Sequence, residues 1–372
     1  MTTSDSKAID WLRFPLAVWI VIQHTFIVFN PQEPIFCQGA AVSLYFILSV
    51  CLSYFAVPTF FFISGYLFFS KLEENWIWQE YRAKLKKRLR TLFVPYVIWI
   101  SIVLLISVIK IVMSDTGNMG GALLEFFNDH GWIRVFWDNN RIGEDFERER
   151  NIIGVVMHFS TPFLSPLWFI RDLIVIVIFS PLMYFVVKKI GLIGLAVAAV
   201  CMCLNIWIPL EGFSPVAFFF FLWGSYMRIT KRSVLTTFKK VEIISYIFII
   251  ITLVLRIYYY STNYVLSNIA VMCYSIFGVI VAFNIASRFY TGAEGPMFKL
   301  LSASTFFIYV THSHVKGIVS SGLIKIIHSQ SELSISLTYL LRAFSTVFLC
   351  VFLYALLRRI CPKTLALMTG GR

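Results

Sequence analysis

WLRFPLAVWIVIQHTFIVF, running from Trp11 to Phe29, is apolar and long enough to cross a bilayer as a helix. Its only ionisable side chains are Arg13 and His24. At a helical rise of about 1.5 Å per residue, His24 lies about 16 Å beyond Arg13. One therefore falls near a membrane face and the other well inside. Ionisable groups in hydrocarbon are costly, so both are functional candidates. The stretch does not read as a cleavable signal peptide. It lacks a cationic leader followed by a small-residue cleavage site.

The rest of the chain agrees with a membrane reading. Of 372 residues, 59% are hydrophobic and 14% charged, where soluble domains carry about a quarter charged. Phe, Tyr and Trp number 37, 17 and 10, which suits lipid contact and interfacial belts. Ten apolar runs follow one another, at 11–29, 43–69, 91–113, 167–187, 190–209, 213–229, 243–260, 265–287, 300–326 and 335–357. The second contains Pro58, which predicts a kink or break there. The expected fold is an all-α integral membrane protein of about ten transmembrane helices, a single multi-pass domain over 1–372.

Every second loop is basic. Arg82, Lys84, Lys86, Lys87, Arg88 and Arg90 precede the third run, and Lys188 and Lys189 follow the fourth. Arg228, Lys231, Arg232, Lys239 and Lys240 follow the sixth. Arg288 and Lys299 precede the ninth, and Arg358, Arg359, Lys363 and Arg372 close the chain. The positive-inside rule then places both termini in the cytoplasm. The net charge of +13 follows largely from this asymmetry, so the basic balance does not argue for nucleic-acid binding.

The seven cysteines are scattered, mostly within apolar runs, with no disulfide framework and no CxxC pattern for a metal. The long loop 114–166 is extracytoplasmic in this topology. It mixes acids and bases with Trp132 and Trp137. It reads as a solvated excursion or as a lid over an outer cleft with aromatics for sugar rings.

Polar residues inside the runs point to a site. His312, His314 and Lys316 lie in the ninth run. His24 and His312 fall at matching depths, about 20 and 18 Å from the starts of spans that run the same way. Two imidazoles at one level fit a shared polar cavity better than two isolated buried histidines. In the fourth run, Trp168 and the Arg171–Asp172 pair sit near the outer face. They read either as belt aromatic and self-neutralised pair, or as the cavity's outer wall. Arg13, Arg88 and Arg90 at the cytoplasmic side read either as topology charges or as a phosphate cradle, since guanidinium forks match phosphate oxygens.

These residues, taken together, resemble the acyltransferase-3 family of integral membrane O-acyltransferases, which act on bacterial surface and exported carbohydrates. The resemblance covers nearly the whole chain. Arg13 and His24 resemble its first-helix signature, an Arg followed after ten residues by His. Phe60-Phe61-Phe62-Ile63-Ser64-Gly65-Tyr66-Leu67 resembles the second-helix block. Arg88-Leu89-Arg90 with Pro95 resembles the basic motif before the third helix. Leu167-Trp168-Phe169 and Ile308-Tyr309-Val310-Thr311-His312 resemble two later blocks. Two departures stand out. Pro166 occupies a position where many relatives carry a polar or His residue, so a different outer rim is expected. The hydrolase-like domain appended in some members does not follow here, so transfer by the membrane part alone, or with a separate partner, is expected.

The resemblance implies a reaction. Acyl-CoA, most often acetyl-CoA, would dock from the cytoplasm with its phosphates on Arg13, Arg88 and Arg90. A carbohydrate or glycolipid hydroxyl would approach past Trp168 and Arg171, with Ser64 as a further substrate-binding candidate. His24 would act as general base or carry the acyl group, with His312 and Tyr309 orienting it or stabilising the oxyanion. No metal is implied. The alternative is a multi-pass transporter or flippase for an anionic sugar or lipid-linked glycan. The lack of paired, broken half-segments in two matching halves argues against it.

Overall fold

The computed structural model describes residues 3–27, 35–71, 76–114, 118–138, 161–208, 210–289, 295–327 and 331–371. Among these residues the regular structure is helical, with no strand. Helix α1 (Thr3–Gln23) begins well before the first apolar run. Asp5 fixes its start. That buried carboxylate accepts from Tyr66 Oη, Ser233 Oγ and the Leu235 amide at 3.0–3.2 Å.

Helix α2 (Ala40–Tyr45) runs through a π turn (Phe46–Cys51) and a 3-10 turn (Leu52–Phe55) into α3 (Ala56–Phe68). The expected break at Pro58 is thus displaced to the turns before it. Proline has no N–H for the carbonyl four residues back, here Tyr54. Ser275 Oγ donates to that carbonyl at 3.1 Å, and Tyr274 Oη donates to Leu52 O at 2.9 Å. A neighbouring helix thereby supplies bonds that the unwound segment lacks.

Helix α4 (Trp78–Arg88) continues through a π turn (Leu89–Phe93) into α5 (Val94–Ser114). The basic stretch read as a loop is therefore helical. In the long loop, α6 (Met119–His130) precedes a turn at 131–138. Residues 115–117 and 139–160, with Asp115, Arg141, Glu144, Asp145, Glu147, Arg148, Glu149 and Arg150, lie outside the described residues.

The fourth run becomes two helices, α7 (Trp168–Ile178) and α8 (Ser180–Lys189), with a bend of 61° at their junction. Pro181 explains the bend, because it strands the Val177 carbonyl, which Ser180 Oγ takes up at 2.7 Å. Then follow α9 (Gly191–Cys203), α10 (Pro215–Ile229), α11 (Val234–Lys239), α12 (Glu242–Tyr259) and α13 (Tyr264–Phe289). The chain closes with α14 (Pro296–Ile326), α15 (Glu332–Ile360) and α16 (Pro362–Thr369).

Five of these segments are long and apolar enough to cross a membrane: Ala40–Phe68, Trp78–Ser114, Glu242–Tyr259, Tyr264–Phe289 and Glu332–Ile360. The bent α7–α8 pair makes up to six. The other apolar runs fall on α1, α9, α10 and α14. Of these, α9 and α10 are short, at 13 and 15 residues, and α1 and α14 carry ionisable groups. The chain is a multi-pass membrane protein. Exposed Ile243, Ile247 and Ile250 on α12, and Phe344, Phe348 and Phe352 on α15, form faces suited to lipid.

Two contacts between helices position the site. Helices α3 and α10 cross with their backbones touching, where a Cβ on Gly65 would run into Phe221 O and one on Gly224 into Phe62 O. Helices α1 and α14 run parallel and in register. Ser302 Oγ reaches Asp10 O at 3.4 Å, and Lys316 Nζ donates to His24 O, both at a sequence offset of 292.

Candidate active site

The parallel register of α1 and α14 brings the two predicted histidines together. The rings of His24 and His312 lie 5.1 Å apart, tilted by 37°. His24 occupies the end of α1 rather than its middle. Its amide still donates to Ile20 O at 3.1 Å, but the helix stops at Gln23. Thr25 closes the last turn locally, its amide on Ile22 O at 3.0 Å and its hydroxyl on Val21 O at 2.8 Å, and tertiary donors hold the segment that follows. Ser49 Oγ donates to Ile22 O and lies 3.0 Å from Thr25 O, Lys316 Nζ donates to His24 O, and Arg342 Nη1 donates to Phe26 O. Tyr339 Oη stands 2.8 Å from Ser49 Oγ and extends that contact.

His312 is fully buried. Its Nδ1 sits 2.7 Å from Tyr309 O and 3.2 Å from Ile308 O. Carbonyls only accept, so Nδ1 carries the proton and Nε2 keeps its lone pair. Tyr309 is fixed from two sides, its hydroxyl donating to Pro166 O and its ring set edge-on to Phe169 at 5.7 Å. Pro166 thus contributes its carbonyl, a contact independent of its side chain.

Below the imidazoles lies a cavity of about 550 Å³. Arg13, Arg88, Lys299 and Asp10 line one part of it. The rest is mostly apolar, with Ala17, Ile20, Phe60, Ile63, Phe169 and Phe306 among its walls and Ser64, Ser302, Thr305 and Tyr309 as polar points. Arg13 is braced by Asp10 at 3.0 Å. The cavity stops at Ile20 and Tyr309, about one turn (~6 Å) short of His24.

The remaining sequence candidates divide. Arg88 lines the cavity with Arg13, whereas Arg90 is exposed and does not line it. Ser64 faces the cavity. Trp168 packs against Phe61 at a ring distance of 6.3 Å and lies outside the lining. Arg171 is also outside the lining. It is buried, bonded to Asp172 at 3.0–3.1 Å, and it donates to Trp137 O at 2.8 Å. Arg171 therefore ties the 131–138 turn onto α7. Beside it, the exposed Glu211 carboxyl is held above its ordinary range by partial burial and then by the neighbouring Asp138 carboxylate. Of the loop tryptophans, Trp132 stacks on Phe127 at 4.1 Å and Trp137 lies under Arg171.

Sequence reasoning missed Lys299 and Ser49, and it singled out Lys316 without a partner. From sequence alone Lys299 reads as one more loop cation. Lys316 was visible as a cation in an apolar run, but its partner is a backbone carbonyl. Ser49 carries no signal apart from the structure. Among the described residues no group of His, Cys, Asp and Glu side chains could hold a metal.

A family model described as an acyltransferase domain matches residues 6–355. The chain is 26% identical to the succinoglycan biosynthesis protein ExoH of Rhizobium meliloti (strain 1021), over all of this chain and 94% of that protein. No solved structure matches the chain.

Proposed function

Because the chain belongs to the acyltransferase-3 family, we propose that it moves an acyl group, acetyl first among candidates, from cytoplasmic acyl-CoA to a hydroxyl of an exported or surface carbohydrate. Acylation of a carbohydrate accords with the similarity to a succinoglycan biosynthesis protein. The observation that carries the reading is the alignment of a cation-lined cavity with a histidine pair directly beyond its far end.

Arg13, Arg88 and Lys299 would hold the donor's phosphates, and the apolar walls the pantetheine arm and acyl group. The thioester would enter between Ile20 and Tyr309 to reach the imidazoles. His24 would take the proton from the acceptor hydroxyl as that oxygen attacks the thioester carbon. The C–S bond then breaks, and the thiolate leaves with the proton that His24 received. His312, its Nδ1–H fixed on Tyr309 O and its Nε2 3.4 Å from Ser313 Oγ, would stand beside His24 to orient it and to share its charge. Arg171 would act at a distance, by holding the 131–138 turn against α7. Family membership favours transfer over the transport reading.

The test is release of free thiol from acetyl-CoA by the purified protein when acceptor-bearing membranes are added. Wild type should release thiol in step with acylation of carbohydrate. His24→Ala should fold and bind CoA but release none above background. Turnover by His24→Ala within a few-fold of wild type would remove His24 from the chemistry.

A further inference from the structure

The end of α1 is held by three neighbours, and they do different things. Ser49, from the α2–α3 segment, donates to Ile22 O and lies 3.0 Å from Thr25 O. Arg342 takes Phe26 O from α15. Lys316 takes the carbonyl of His24 itself, and it does so from α14, one turn beyond His312. A single turn of α14 thus carries both the second imidazole and the donor that pins the backbone of the first. The other described side-chain bond from α14 to the α1 backbone, Ser302 to Asp10 O, lies about 21 Å away at the opposite end of the pairing.

Lys316 is also a costly residue to keep here. It is partly buried, packs its ammonium over Phe26 at 4.7 Å, and stands near the Arg342 guanidinium. Among the described residues no carboxylate pairs with Lys316 or Arg342. A cation at a helix C-terminus is favourable by the helix dipole, so a stabilising role alone is one account. It does not explain why the donor is on α14 and meets residue 24. Transfer between two fixed substrates is sensitive to placement, and a shift of about 1 Å is worth on the order of 100-fold in rate.

We propose that Lys316 is a positioning residue for acyl transfer: by bonding the His24 carbonyl from α14, it sets the spacing between the His24 and His312 imidazoles. This rests on the reading of His24 as the base.

The experiment measures thiol release from acetyl-CoA with acceptor-bearing membranes for wild type, Lys316→Met, Lys316→Arg and His24→Ala. Each is corrected for its monodisperse, folded fraction. Lys316→Met keeps length and apolar packing but cannot donate. Its kcat should fall at least tenfold with the KM for acetyl-CoA unchanged, because Arg13 and Lys299, which would hold the donor's phosphates, lie at the other end of the α1–α14 pair. Lys316→Arg keeps a donor and should recover most of the rate. Should Lys316→Met fold poorly, Lys316→Gln serves in its place, with a shorter reach and an intermediate rate expected. Wild-type kcat in folded Lys316→Met would overturn the proposal, as would a rate in Lys316→Arg no better than in Lys316→Met. A fully active His24→Ala would instead strike the catalytic reading on which the proposal depends.

Discussion

At the scale of single residues, the structure separates two arginines that share one sequence motif. Arg88 and Arg90 are two positions apart on a helical segment, so their side chains point to different sides. Arg88 lines the cavity with Arg13 and Lys299, while Arg90 is exposed away from it. Arg88→Lys keeps the charge but loses the planar fork, so the KM for acyl-CoA should rise about tenfold, the scale of one charge-assisted hydrogen bond. Arg90→Lys should leave that KM unchanged. Titration of acetyl-CoA against both variants checks this, and equal effects would contradict the division. Arg13, His24 and His312 were legible because an ionisable residue in an apolar run is conspicuous, whatever its partner. Lys299 was not, because a cation at a membrane face looks the same whether it serves topology or a ligand. Arg171 was legible as a buried cation, but its partner Trp137 O belongs to a turn whose docking the sequence does not specify.

At the scale of elements, the ten apolar runs were legible from hydropathy, but their breaks were not. Pro58 and Pro181 each strand a carbonyl. The first distortion appears in the turns before Pro58, with α13 supplying the bonds, and the second appears as a 61° bend. Helix α1 was expected to continue through His24 to Phe29, yet it stops at Gln23. Thr25 closes that end and donors from three other segments hold it, and such long-range pairing leaves no periodicity in the sequence. The crossing of α3 and α10 has the same character. Gly65 and Gly224 permit backbone contact, a close approach typical of small residues between membrane helices. Gly65→Ala must push α10 away and should cost about 1–3 kcal/mol. It should lower the unfolding midpoint in detergent. It should also slow turnover, since the adjacent Ser64 faces the cavity. An unchanged midpoint would mean that the two backbones are not in contact.

At the scale of the whole molecule, the proposed reaction is vectorial. The cations that would hold the donor lie at one end of the parallel α1–α14 pair, and the imidazoles lie about one turn beyond the cavity's far end. The alternation of basic loops sets the expected direction, with the Arg13 end toward the cytoplasm. The most direct measurement uses sealed membrane vesicles of both orientations, given acetyl-CoA labelled in its acetyl group on the outside only. The label is then followed into carbohydrate. Inverted vesicles, whose cytoplasmic face is outward, should incorporate label with wild-type protein and none with His24→Ala. Right-side-out vesicles should incorporate none until they are permeabilised. Incorporation by intact right-side-out vesicles, or by inverted vesicles carrying His24→Ala, would contradict a transfer that runs from the arginine-lined cavity to the histidine pair.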